Sequence, residues 1–338
     1  MLCHDMEVNN RNPTVSVVVP LYNTQRYIAE CIDSVLAQSF ADFELIVVND
    51  GSTDGSTKIV QSYADKRMRL VNQENRGLAG ARNTGTREAR GTYIAFLDAD
   101  DYWHPDKLAL HVSHLDDSPN VGVSYSGSIF IDENSLPLGI VQRPKLSNIS
   151  TAHILCRNPV GNGSSPVVRK DVFNQIEFTC GELSHRDPCY FDEDLQQSED
   201  IECWLRMSLT TDWLFEGIKA ELTYYRVSNQ GLSTNLAKQF KTWEAAIGNN
   251  RHLNPSLFRK YESLAKAYQF RYLARRAVQL RDPQQALHLF KKALDASLLI
   301  VVYEAPRTFL TFLSICALNF IPRSRYQTLE NIAMRIVR

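Results

Sequence analysis

Three carboxylates crowded into four residues carry most of the chemistry that this sequence offers. Residues 93–97 read Tyr-Ile-Ala-Phe-Leu, and the apolar run stops abruptly in Asp98-Ala99-Asp100-Asp101. Carboxylates packed side by side repel one another and take up protons unless something offsets their charge. A hard divalent cation with oxygen ligands is the natural compensation. Such a cation would in turn attract phosphate.

The elements that must position this cluster alternate in type. Apolar runs at residues 15–19, 43–48, 68–71, 93–97 and 121–131 read as strands. Between them, residues 24–38, 54–63, 77–89 and 105–115 have helical spacing or composition, with Asn23 or Thr24 available to cap the first. Apolar strands alternating with helices imply a parallel sheet covered on both faces. Ligands bind such sheets beyond the carboxyl ends of the strands. Four polar or glycine-bearing loops lie there: Pro20-Leu21-Tyr22-Asn23, Asn49 to Asp54, Gln73 to Gly77, and Asp98 to Asp101. Asn, Asp and Gly also serve as plain turn residues. Four such loops on one rim point instead to an extended site for a polar ligand.

The second half is organised differently. Residues 197–209 read as a helix opened by Ser198-Glu199-Asp200, and residues 221–227 as a strand. From about residue 240 the chain is helical. Residues 265–299 have the pattern of a single helical hairpin, which needs a neighbour to pack on. Residues 298–302 and 309–321 are strongly apolar, but the second run is too short to span a bilayer. Either it is a buried terminal helix, or it lies in a membrane interface with Arg323, Arg325, Arg335 and Arg338 near the headgroups. The division expected is 1–235 for the main domain, split into 14–130 and 131–235, with 236–338 as a helical region.

Bulk properties narrow the function. The formal net charge of −1 leaves no electrostatic footprint for nucleic acid. The seven scattered cysteines and the polar first thirteen residues suit a cytoplasmic setting, on the second reading of the apolar tail at the inner face of a membrane. Cys180, His185 and Cys189 lack the second ligand pair of a zinc site.

Taken in order, the loops resemble the family 2 inverting glycosyltransferases of GT-A fold. The match runs through Val19-Pro20-Leu21-Tyr22-Asn23, Asn49 to Asp54, Asn75-Arg76-Gly77 with Ala81-Arg82-Asn83, Asp98 to Asp101, Phe191-Asp192-Glu193 and Ser198-Glu199-Asp200. The resemblance implies an α/β fold: a mostly parallel sheet flanked by helices, with a helical C-terminal extension. It implies a nucleotide-diphosphate sugar donor, UDP-linked, and Mg2+ or Mn2+. The acceptor would be a glycan or lipid-linked glycan of a cell-surface polysaccharide. Pro20 and Tyr22 would frame the base and Asp50 would accept its ring N–H. Asp54 reads as a helix cap. Arg82 would touch base or diphosphate, or form an ordinary ion pair. Asp100 would ligate the metal and Asp98 the metal or the ribose. Asp101 would be a further ligand or a cap. Asp200 would be the base that deprotonates the acceptor hydroxyl, and Glu199 would share the catalytic work by orienting the acceptor or holding the base.

Two departures stand out. Ser228 occupies a position where relatives often carry a histidine, and residues 180–190 form an inserted loop that would shape acceptor choice. The Gln-x-x-Arg-Trp signature of the family's processive synthases is absent from the chain, implying transfer of one sugar. A second reading keeps the binding and drops the chemistry: a catalytically weak module that holds a nucleotide sugar or a partner.

Overall fold

A computed structural model describes residues 12–179, 187–227 and 235–320. The N-terminal half comprises β1 (Val15–Leu21), α1 (Ile28–Leu36), β2 (Phe43–Asp50), α2 (Ser56–Gln61), β3 (Met68–Gln73), α3 (Gly77–Glu88), β4 (Tyr93–Phe96), β5 (Tyr102–Trp103), α4 (Lys107–Asp117) and β6 (Val121–Ile131). There follow β7 (Pro137–Gln142), α5 (Thr151–Cys156), β8 (Val167–Arg169), α6 (Lys170–Ile176), β9 (Phe178–Thr179), β10 (Pro188–Cys189), α7 (Glu199–Thr210) and β11 (Leu214–Arg226). The C-terminal region holds α8 (Leu236–Asn249), α9 (Pro255–Gln279), α10 (Pro283–Ala296), α11 (Leu299–Tyr303) and α12 (Ala305–Phe320).

The main sheet runs β3-β2-β1-β4-β8-β6-β11-β5, with β7 paired to β6. Its first four strands are parallel, as are β6 and β11. The pairings of β8 with β4 and β6, of β5 with β11 and of β7 with β6 are antiparallel. The parallel portion is therefore the half that carries the polar loops, and the rest is mixed. The sheet is buried on both faces, which is why its central strands read as unbroken apolar runs. Val18, Ile46, Val48, Ile94 and Phe96 enter one core. Their alternates Val17, Val19, Leu45, Val47 and Ala95 enter the other, against α1 and α4.

Several elements start later than their patterns predict. The helix expected from residue 24 begins at Ile28, because residues 23–25 are used elsewhere. Asn23, at a φ of 50°, accepts the Thr53 N–H through Oδ1 at 2.8 Å. The Gln25 N–H reaches Asp54 Oδ2 at 2.9 Å. The first loop is thus latched to the second rather than capping its own helix. Asp54, expected as the cap of α2, stands one residue before the N-cap Gly55, which has no side-chain cap bond; its Oδ1 accepts the Ser56 N–H at 2.9 Å.

The expected helical hairpin is α9 with α10. Asn254 and Asp282 cap the two helices, each followed by proline in the first turn. The apolar tail differs from the buried terminal helix considered above. Only a narrow stripe of α11 and α12, including Ile300, Thr308, Thr311 and Ile315, is buried. Val302 is 73% exposed, Tyr303 63%, Phe309 60% and Leu310 61%. No helix among the described residues is long and apolar enough to cross a membrane. Arg323, Arg325, Arg335 and Arg338 lie outside the described residues.

Candidate active site

The carboxyl ends of β1, β2 and β4 open on one rim. β8 runs antiparallel to β4, so the residues leading into it, Asn162 to Ser165, come to the same rim. The acidic loop is tied down there from both sides. The Asp98 N–H donates to Ser164 Oγ at 3.0 Å, and that hydroxyl donates to Asp101 Oδ2 at 2.6 Å. Asp101 Oδ1 accepts the Arg226 N–H at 2.8 Å. Asp101 is 2% exposed. Its two oxygens hold the loop to β8 and β11, and neither faces open space.

Arg226 at the end of β11 completes the clamp. Its Nε donates to the Asp100 carbonyl at 2.7 Å, and one terminal nitrogen to the Asp132 carbonyl at 2.8 Å. The other pairs with Glu30 of α1 at 2.6 Å, and the guanidinium lies 4.2 Å over the Tyr27 ring. Its charge is thereby spoken for. Ser228 lies outside the described residues, as do Cys180 to Arg186 of the inserted loop.

Arg82 makes the link that joins the two acidic groups. It sits in α3 with its side chain only 3% exposed. One terminal nitrogen donates to Asp98 Oδ1 at 2.7 Å and the other to Glu199 Oε1 at 2.6 Å. Burial works against the Arg82 charge, but Asp98 and then Glu199 outweigh it and hold the guanidinium protonated. Gly163 is required beside this fork: a Cβ there would stand 2.1 Å from an Arg82 nitrogen and 2.9 Å from Asp98 Oδ2.

Asp200 follows Glu199 in the first turn of α7. Its Oδ1 accepts the Ile201 N–H at 2.8 Å, and its Oδ2 faces Asn158 Nδ2 at 3.4 Å. Burial raises both carboxyls, with Arg82 opposing; Glu199 is pushed up to about 7, and Asp200 is raised above the usual range. Asp100 is pushed up to about 6, first by burial and then by the charge of Asp98. Asp101 is raised well above its ordinary value by burial, Asp100 and Asp98. The Asp100 carboxylate accepts no hydrogen bond from another described residue. Among the described residues no three His, Cys, Asp or Glu side chains converge as a ligand set.

On the other side of the rim, Asp50 is 2% exposed and largely engaged. Oδ1 accepts from Gln73 Nε2 at 2.7 Å and the Arg76 N–H at 2.8 Å, and Oδ2 accepts the Gly77 N–H at 2.9 Å. It caps the entry to α3. A carboxylate has about four acceptor positions, so one remains on Oδ2. Pro20 is buried within β1, while Tyr22 is 51% exposed at the rim. The Phe191-Asp192-Glu193 stretch holds α3: Asn83 Oδ1 accepts the N–H groups of Tyr190 and Phe191, and Glu193 pairs with Arg76 at 2.8 Å.

Ser164, Asn158 and Gly163 escaped the sequence reading. For Ser164 and Gly163 the signal was the run Asn162-Gly163-Ser164-Ser165, a compact polar stretch placed just before an apolar strand.

Acidic groups gathered at the carboxyl rim of an α/β sheet lie where such sheets bind their ligands, and comparison with known proteins says which class of protein this is. The profile of glycosyl transferase family 2 matches residues 16–176. The teichuronic acid biosynthesis glycosyltransferase TuaG of Bacillus subtilis, a putative assignment, is 30% identical over 70% of this chain and 88% of its own length. The uncharacterized glycosyltransferase EpsJ of the same organism is 54% identical, over 27% of each chain. Among solved structures, the mannosyltransferase PcManGT from Pyrobaculum calidifontis, in complex with GDP-Man and Mn2+, is 20% identical. It covers 97% of this chain and 86% of its own, with a TM-score of 0.56. S. aureus TarS 1-349 in complex with UDP-GlcNAc is 18% identical over 84% of this chain and 89% of its own, with a TM-score of 0.53. The chain belongs to glycosyl transferase family 2, with the GT-A fold, and is a glycosyltransferase.

Proposed function

We propose that this glycosyltransferase moves one sugar, with inversion, from a nucleotide-diphosphate donor, UDP-linked, to a hydroxyl of a surface-glycan precursor. The observation that carries the reading is the Arg82 fork. One guanidinium holds Asp98 of the acidic loop and Glu199 of α7 in a single buried network. That network fixes the distance between a donor side and an acceptor side.

On the donor side, the exposed Tyr22 ring flanks the base, Pro20 lies buried behind it at the end of β1, and Asp50 offers its one remaining acceptor position to a ring N–H. Asp98 and Asp100 are the pair that fits Mg2+ or Mn2+: burial and mutual repulsion raise Asp100, and its oxygens lack donors. Asp101, committed to Ser164 and Arg226, supports the loop instead of ligating. Diphosphate oxygens and water would complete the shell. When bound, the cation supplies charge neutralisation for the departing nucleoside diphosphate. On the acceptor side, Asp200 takes the proton of the attacking hydroxyl. Its raised pKa makes it a better base than a free aspartate. Glu199 remains paired with Arg82 and keeps the first turn of α7 in place.

A panel of nucleotide sugars, assayed for metal-dependent release of free nucleotide, tests this. Asp200→Asn should retain donor affinity and lose transfer by about 10²–10⁴-fold, the usual worth of a positioned base. Asp100→Asn should weaken donor binding only when metal is present. A wild type that binds a donor and transfers to no acceptor would favour the binding module; Asp200→Asn at full activity would remove the assigned base.

A further inference from the structure

A second group of charges lies beside Asp200, on the helical region. Asn158, which faces Asp200, directly follows Arg157. Arg157 and Arg271 of α9 lie over the same Tyr268 ring, at 5.5 and 5.3 Å. Both also pair with Glu304, as does Arg307 at 3.2 Å. Tyr268, Arg271, Tyr272 and Arg275 recur at the spacing of one helix face. Arg275 is exposed and makes no hydrogen bond or ion pair among the described residues. Three guanidiniums therefore share one carboxylate, and Arg275 adds a fourth positive charge near Arg307.

That excess of positive charge is not relieved within the protein. Burial, followed by Arg157, pushes Arg271 down to about 10, and burial followed by Arg307 lowers Arg157. The link to the candidate base is geometric: Asn158, the residue after Arg157, places its Nδ2 3.4 Å from Asp200 Oδ2. The cluster thus borders the acceptor side on which Asp200 stands.

The cluster also borders hydrocarbon-like surface. Arg271 donates to Thr308 Oγ1 at 2.8 Å. Thr308 in turn lines an apolar groove of about 610 Å³, together with Phe290, Leu294, Val301, Phe309 and Phe312. Phe309 on the groove wall and Val302 and Leu310 beyond it are each at least 60% exposed. Contiguous exposed apolar surface of this kind marks a binding site. Guanidiniums recognise phosphate oxygens through charge-assisted, often bidentate hydrogen bonds. A ligand that satisfies both features at once is an amphiphile with an anionic phosphate head.

We propose that Arg157, Arg271, Arg275 and Arg307, with the groove between α10, α11 and α12, bind the acceptor as a phosphate-linked lipid. The phosphate or diphosphate sits on the guanidiniums and the hydrocarbon chain in the groove, leaving the head's sugar hydroxyl toward Asp200. The inference rests on Asp200 lying on the acceptor side, and it narrows the acceptor to lipid-linked rather than free glycan.

The test measures co-sedimentation of the full chain with phosphatidylcholine vesicles doped with a long-chain prenyl diphosphate. Vesicles carrying the same charge as phosphatidylglycerol, and free inorganic diphosphate as competitor, separate the sources of phosphate. The wild type should bind the prenyl diphosphate vesicles about tenfold or more above the phosphatidylglycerol vesicles, and Arg275→Glu with Arg307→Glu should lose that margin. Phe309→Glu, at an exposed groove position, should lose it as well. Equal binding to both vesicles, full competition by free diphosphate, or binding unaffected by the three substitutions would each overturn the proposal. Nucleotide-sugar affinity, measured on the same proteins, reads the donor site alone. Failure there with intact prenyl diphosphate binding would overturn the proposed activity and leave this subsite standing.

Discussion

At the scale of single residues, Arg82 shows what a linear sequence conceals. The motif residues were legible because each ends a strand or opens a helix at a recognisable place. What they do to one another was not. Arg82 was expected to touch base or diphosphate, or to form an ordinary ion pair; its partners lie 16 and 117 residues away in sequence. Asp50 was expected to meet ligand and Asp101 to be a ligand or a cap, and both have most of their acceptor capacity taken by the protein itself. The bridging role predicts a specific pattern of damage. Arg82→Met leaves Glu199 buried and Asp98 part-buried without their shared cation. Breaking a buried pair in this way costs about 3–5 kcal/mol, measurable by urea denaturation. Arg82→Lys keeps the charge, but an ammonium cannot match a fork whose two nitrogens reach separate carboxylates. It should lose a smaller part of that stability and most of the transfer rate. Equal stability of Arg82→Met and wild type would show that the fork is not what holds α3, the acidic loop and α7 together.

At the scale of elements, periodicity located β1 to β4 and β6 well, missed β7 and β8, began β11 at residue 221 instead of Leu214, and placed the first turns of helices poorly. β6 was readable to the residue, as a stretch of eleven in which serines and glycines interleave with apolar residues. α1 was not, because Asn23 and Gln25 have side-chain and backbone partners in the next loop that no local rule anticipates. The packing of α3 on β1 was also hidden, although its cause is one glycine. A Cβ at Gly85 would lie 2.2 Å from Val18 Cγ1 and 3.0 Å from Cγ2. Alanine there gains helix propensity worth up to about 1 kcal/mol over glycine. The overlap is with a buried, β-branched side chain on the central strand, which cannot turn away. Forcing α3 outward should therefore cost about 1–3 kcal/mol net. Because Arg82 is one turn earlier on α3, Gly85→Ala should also lower transfer while leaving the catalytic carboxylates unaltered. Val18→Ala removes the obstructing methyls. The double substitution Gly85→Ala with Val18→Ala should be less destabilised than the sum of the two single ones; strict additivity would mean that the contact is not the cause.

At the scale of the whole molecule, the boundary expected after residue 235 separates pattern types without separating cores. The first half reads as alternating strand and helix and the last third as helices, so composition suggested a main domain with an appendage. Trp243 and Ile247 of α8, with Phe258 and Ala265 of α9, lie instead in the same buried cluster as Val18, Phe96 and Trp204. Trp243 is 4% exposed, and Ile247, Phe258 and Ala265 are at most 1% exposed. Sequence could not show this, since an amphipathic helix declares that it has a buried face and not what the face is buried against. Removing one large aromatic from a core costs about 3–5 kcal/mol, and a domain's whole stability is about 5–15 kcal/mol. A chain ending at residue 235 loses Trp243 and Phe258 together with Ile247, and should show no cooperative thermal transition. A chain ending at residue 296 keeps those side chains and the α9–α10 pair. It should melt cooperatively and keep its nucleotide-sugar affinity, while losing the Glu304 and Thr308 partners of Arg271. Circular dichroism melts of the two truncations decide the matter. If residues 12–235 melt cooperatively and bind donor, the helical region is a separate domain after all. If they do not, the helices are part of the fold that holds Arg82 between its two carboxylates.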